Sequence, residues 1–147
     1  VEKSDMSDAA ARAAYHEAAH AVIAVALGLT VGGAGIDPNQ SYCYVGPASV
    51  TDNLMVAFAG LEAEIACFGF ARATDARGDL QMIDRYARRY NIPGHHIEGL
   101  RPHVRALLKQ HWHRVERVAA ALALAGTLTR VEIAAAVGLP LGVNNEH

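Results

Sequence analysis

Within AAYHEAAHAVIAVALGL, residues 13–29, five residues carry the groups best suited to chemistry: His16, Glu17 and His20, in the order HEAAH. On a helix, positions i and i+4 share one face a turn apart, so both imidazoles can reach a single ion. Glu17 sits one residue round. That is off axis for a third ligand but well placed to take a proton from a water on that ion. Burying two imidazoles and a carboxylate unpaired on an alanine-rich face would cost several kcal/mol. A compensating metal is therefore expected. Nitrogen and oxygen donors suit Zn2+ best, and cobalt or manganese could occupy the same set.

A catalytic zinc site needs a third protein ligand and an open position for water. A histidine six residues after His20 would supply it in a metzincin, but that position is Ala26. The candidates lie further along: Glu62 or Glu64, Asp79, or a late histidine. His111 and His113 flank Trp112 and should point to opposite sides of a helix, as surface residues. His95 and His96 follow a Pro-Gly pair and read as loop histidines. Spacing alone leaves Glu64 and Asp79 both open.

The elements that must position these groups follow from punctuation and periodicity. A first helix should start near Ser4 or Ser7, either of which can cap, and run to Gly28. Glycines and prolines between Val31 and Val50 punctuate short pieces such as SYCYV, which predicts a small hairpin or two or three edge strands. A second helix from about Asp52 is apolar nearly all round and should be the buried centre. A third opens near Asp75 to Asp79, with Gly78 permitting an unusual backbone turn, and ends at Pro93-Gly94. A fourth is expected from Gly99 or Pro102 through Ala125. A fifth starts at Thr129, where TRVE makes a capping box with Glu132, and stops at Gly138. The fold class expected is mainly α, a compact helical domain with a small β-hairpin or sheet insert after the first helix.

At 147 residues, 52% of them apolar, the chain is long enough for one domain with its own core, spanning 1–147. A net charge of −2 with interleaved signs gives no electrostatic case for nucleic acid or an anionic membrane surface. No run reaches the ~18 apolar residues of a membrane span. Cys43 and Cys67 form no CxxC and read as reduced, half-buried thiols of a cytoplasmic protein. The chain opens on Val1 without methionine, as expected of a processed product or a piece of something longer. The segment LTRVEIAAAVGLP has the sound of a helix-turn-helix, but no Lys or Arg follows Arg130 to read DNA.

Three segments, in order, resemble the zinc peptidase domain of FtsH-type AAA+ proteases. HEAAHAV is similar to the family's HEAGHA. AGLEAEIACFG resembles its GGRAAEELVFG helix and shares Gly60, Ala63, Glu64, Phe68 and Gly69. TDARGDL resembles TGAxNDL and shares Thr74, Ala76, Asp79 and Leu80, while the tail LAGTLTRVEI is a weaker match to the closing ETLxxxEI. The resemblance implies His16, His20 and Asp79 as zinc ligands and Glu17 as general base. It also implies a zincin-like fold, with Glu64 either a buried carboxylate hydrogen-bonded behind a ligand or the alternative ligand. Asp79 would gain from a helix N-terminus, whose dipole favours the ionised form. The chain departs from the family in having Ala19 for glycine and Ile83-Asp84 for Ala-Thr, and no GxxxxGK[ST] nucleotide-binding loop occurs.

The expected activity is ATP-independent, zinc-dependent hydrolysis of peptides or unfolded segments, with the substrate extended along an edge strand near SYCYVGPASV. The alternative is a catalytically inactive, metal-stabilised interaction module of the same fold. No oligomeric state is implied.

Overall fold

A computed structural model describes residues 8–37 and 39–139. Among them are six helices and one three-stranded antiparallel sheet, in the order β2-β1-β3. This is the mainly α architecture expected, with the first two strands following the first helix.

Helix α1, Asp8–Ala26, is enclosed without interruption from His16 to Val25. The caps expected at Ser4 or Ser7 lie outside the described residues. The helix ends where Gly28 takes φ 81°, and the Leu29 N–H returns to the Ala24 carbonyl at 2.9 Å. Strands β1, Val31–Gly35, and β2, Tyr42–Val45, pair in register Ala34↔Cys43, with a bulge between Val31 and Gly33. Gly35 has no side chain because the Tyr42 ring lies across it, where a Cβ would come within 2.6 Å.

Helix α2, Val50–Phe68, is capped by Ser49, whose hydroxyl accepts from the Asp52 N–H at 3.1 Å. It does not occupy the centre alone. Its last turn emerges into solvent at Ile65 and Cys67, whereas the small residues of α1 let neighbours press on it from several sides. The centre of the domain is therefore α1, against which α2 and α5 pack.

Helix α3 spans Ala73–Arg89 and begins before the expected Asp75. Asp79 consequently lies in the second turn, beyond the reach of the terminal dipole. Gly78 is ordinary helix and makes no unusual turn, since among the described residues the glycines with positive φ are Gly28, Gly69, Gly126 and Gly138.

The single long fourth helix is two. Helix α4, Gly94–Gln110, contains Pro102 in its interior, and helix α5, Trp112–Ala125, follows a break at His111, where ψ is 18°. The break has a packing reason, since α4 lies on α2 while α5 lies on α1. His95 and His96 accordingly sit in the first turn of α4 rather than in a loop, stacked on each other and exposed.

Strand β3, Thr127–Thr129, completes the sheet on the far side of β1 and was not anticipated as a strand. Helix α6, Arg130–Val137, opens on the expected capping box: Thr129 accepts from the Glu132 N–H at 3.3 Å and donates its own N–H to Glu132 at 2.8 Å. Gly138 ends it, and Arg114 and Arg117 of α5 donate to its last carbonyls. The segment that would have to hold a DNA-recognition helix lies almost wholly outside the described residues.

Candidate metal centre

Helices α1 and α2 run antiparallel, and three rungs four residues apart link them. Arg12 meets Glu64, His16 lies against Gly60 and His20 reaches the Val56 carbonyl. A four-residue step advances each helix by just over one turn, so one stripe of α1 faces one stripe of α2 along the whole contact. The middle rung requires glycine. A Cβ at Gly60 would lie 2.5 Å from Cε1 and Nε2 of His16, inside the ring's own volume.

Each imidazole is held by Nδ1. His20 Nδ1 lies 2.6 Å from the Val56 carbonyl and must donate to it, because a carbonyl has no proton to give. His16 Nδ1 lies 2.8 Å from Oε2 of Glu64, a carboxylate with no solvent exposure at all. Both Nε2 atoms are thereby turned outward, and α3 brings Asp79 to them. Asp79 Oδ2 stands 2.8 Å from His16 Nε2 and 3.0 Å from His20 Nε2. His16, His20 and Asp79 can offer three ligand atoms that lie within 4.8 Å of one another. Ligands on a tetrahedral zinc stand about 3.3 Å apart, given Zn–N and Zn–O bonds near 2.0–2.2 Å. The donor set therefore fits such an ion, with an outward movement of the carboxylate by a few tenths of an ångström.

The electrostatics favour protonated imidazoles beside an ionised carboxylate. Burial opposes a charged His16, but the hydrogen bonds to Asp79 and Glu64 outweigh it and raise the imidazole to about 10. His20 moves up in the same way, burial being overcome chiefly by the Asp79 carboxylate. Asp79 is driven well below the carboxylate range, its burial outweighed by the two imidazolium partners. Glu17, 7% exposed, moves up because burial outweighs the pull of His20 and His16, with Asp79 and Glu64 adding to the rise.

A cleft of about 600 Å³ opens at His16 and Glu17. Its walls are the first turns of α1 at Ala9 and Ala13, the loop around Asp37 and Ser41, and the start of α3 at Arg72 and Asp75. Arg72 is committed to Asp75 at 3.1 Å. Cys43 of β2 is half-buried, and its thiol is raised by burial and by the Glu17 and Asp79 carboxylates, so β2 flanks the site.

Other sequence candidates fall elsewhere. Glu62 faces α4 and pairs with Arg101 at 2.6 Å and Arg105 at 3.3 Å. Cys67 is exposed rather than half-buried. His111 sits at the α4–α5 break, and His113 follows in the first turn of α5. Two participants were missed by the sequence reading. The Val56 carbonyl carries no sequence signal, whereas Arg12, one turn before His16 in an alanine run, could have been noticed by the same i, i+4 rule that picks out His20. Compared with known proteins, the chain matches no family model and no curated relative.

Proposed function

We propose that this chain is a zinc-dependent endopeptidase acting on peptides or unfolded polypeptide segments. One observation carries the reading. Two imidazoles, each with Nδ1 fixed from behind, turn Nε2 towards one carboxylate from another helix, and a buried glutamate borders the open cleft beside them. The three-segment resemblance to FtsH-type peptidase domains supports the same assignment of His16, His20, Asp79 and Glu17. A zinc ion bound there supplies a Lewis-acid centre and lowers the pKa of a coordinated water towards neutrality.

The protein's own residues do the rest. Glu64 and the Val56 carbonyl keep both imidazoles in the tautomer that presents a lone pair at Nε2. Glu17 takes the proton from the attacking water and returns it to the leaving amine, and burial of its carboxyl raises its proton affinity towards the range such a shuttle needs. β2 is an edge strand beside the site, without a partner on its outer side among the described residues. An extended peptide can add to that edge by main-chain hydrogen bonds.

The deciding experiment is Glu17→Gln, assayed for zinc content and for cleavage of an unfolded protein. Zinc retained with cleavage lost supports the peptidase. Zinc bound by both forms with cleavage by neither makes the chain a metal-stabilised interaction module. Failure of wild-type protein to bind zinc more tightly than a His16→Ala control removes the metal centre itself.

A further inference from the structure

Behind His16, on the side away from Asp79, the buried Glu64 is paired with Arg12, to which the hydrolytic chemistry gives no role. Arg12 lies one turn before His16 on α1 and is 5% exposed. Its guanidinium is flanked by two rings, 4.6 Å from the centroid of Phe68 and 4.3 Å from that of Phe70. Nη1 donates to the Phe70 carbonyl at 3.0 Å and stands 3.4 Å from Oε1 of Glu64. The other oxygen of Glu64 accepts from His16.

We propose that Arg12 is a positioning residue for the metal centre, acting through Glu64 to hold the His16 imidazole with Nε2 turned towards the ion. The inference rests on the metal-centre reading above. An arginine side chain is ordinarily mobile, but here two rings and a carbonyl locate this one before Glu64 is considered. The carboxylate of Glu64, fully enclosed, requires a compensating cation, and Arg12 stands beside it. With Oε1 drawn towards that fixed charge, the plane of the carboxylate is set and Oε2 is directed at His16 Nδ1. If Arg12 merely tied α1 to the segment after α2, the Phe70 carbonyl and the two rings would suffice, and its charge would be immaterial to the metal.

The test measures zinc dissociation constants by chelator competition, and the d–d spectrum of the Co2+ form, for wild type, R12Q, R12K, E64Q and R12Q/E64Q. Gln keeps a polar amide but lacks the charge, whereas Lys keeps the charge. R12Q is expected to weaken zinc binding by about 10–100-fold and to alter the Co2+ spectrum, as loss of an outer-shell partner does. R12K should recover most of that affinity. In the E64Q background R12Q should add little, because the effect passes through Glu64. A folded R12Q with wild-type affinity overturns the proposal, as does an equal loss with and without Glu64. Should R12Q fail to fold, R12M takes its place in both backgrounds: a loss of about tenfold or more that vanishes with E64Q supports the proposal, and wild-type affinity or an equal loss in both overturns it. Wild-type protein that binds no zinc overturns the metal-centre reading and this inference together, an outcome distinct from each of the others.

Discussion

What sits behind each imidazole decides what it can do in front. His20 is the simpler case, since a main-chain carbonyl fixes its Nδ1–H and cannot be altered without moving α2. His16 depends on side chains, and on the absence of one at Gly60. Glycine inside a helix ordinarily costs about 1 kcal/mol relative to alanine, so Gly→Ala should stabilise wherever there is room. Two glycines of this chain make opposite predictions on that rule. At Gly78, in α3 beside Asp79, nothing lies within 4 Å of the place a Cβ would take. Gly78→Ala should raise stability by up to about 1 kcal/mol and leave zinc affinity unchanged. At Gly60 the new methyl meets the His16 ring, and Gly60→Ala should cost about 1–3 kcal/mol through overpacking and loosen the metal by displacing Nε2. Thermal melts with chelator present, and zinc titrations of both variants, check the pair. A Gly60→Ala protein as stable and as tight for zinc as wild type would mean that the ring does not occupy this place.

At the scale of elements, α1 and α2 form the frame, and much of it could be read in advance. The HEAAH spacing set a stripe on α1, and the apolar run expected from about Asp52 placed α2 within two residues of its start at Val50, although its Ser49 cap and its end at Gly69 were not read in advance. Asp79 was less accessible. Its distance of some sixty residues from the histidines leaves no periodic signal, and spacing left Glu64 equally eligible until α3 was seen to bring Asp79 to both rings. The break at His111 was illegible for a related reason: the pattern from Gly99 to Ala125 is helical throughout, and only the different partners of α4 and α5 require it to be interrupted. β3 was hidden by its brevity, three residues whose last, Thr129, also caps α6. That double role gives a prediction. Thr129→Ala removes the acceptor for the Glu132 N–H and should cost about 1 kcal/mol, seen as a lower urea midpoint. Zinc affinity should not change, because α6 packs chiefly on α5, β1 and β3, none of which supplies a ligand. A change in affinity without a change in stability would contradict this division of labour.

At the scale of the whole molecule, the proposed zinc ion and the protons of the metal-free site compete, and pH sets the two conditions against each other. Without metal, His16 binds its proton up to about pH 10 in the folded chain but only to about 6.5 once unfolded. Its contribution is therefore fully present below about pH 6.5 and is lost as pH rises through the folded value. Across that interval the folded state holds one more proton, so stability falls by about 1.4 kcal/mol per pH unit on account of this group alone. Asp79, whose affinity for protons is depressed in the fold, contributes above its unfolded value of about 3.9 and loses that contribution as pH falls. On these two groups alone, the metal-free protein should be most stable between about pH 4 and 6.5. Zinc reverses the alkaline slope. It needs both Nε2 atoms unprotonated, so binding releases the protons that Asp79 holds there, and apparent affinity grows as pH rises. Since an ion bound only by the folded state stabilises it by about 2.7 kcal/mol at a hundredfold excess over Kd, the melting curves with zinc and with chelator should diverge with increasing pH. Close agreement is expected near pH 5 and wide separation near pH 8. Calorimetric titration at pH 7 in two buffers of different ionisation enthalpy should register the released protons directly. Equal heats in both buffers, or a zinc-induced rise in Tm that is the same at pH 5 and pH 8, would show that the ion does not take the place of those protons.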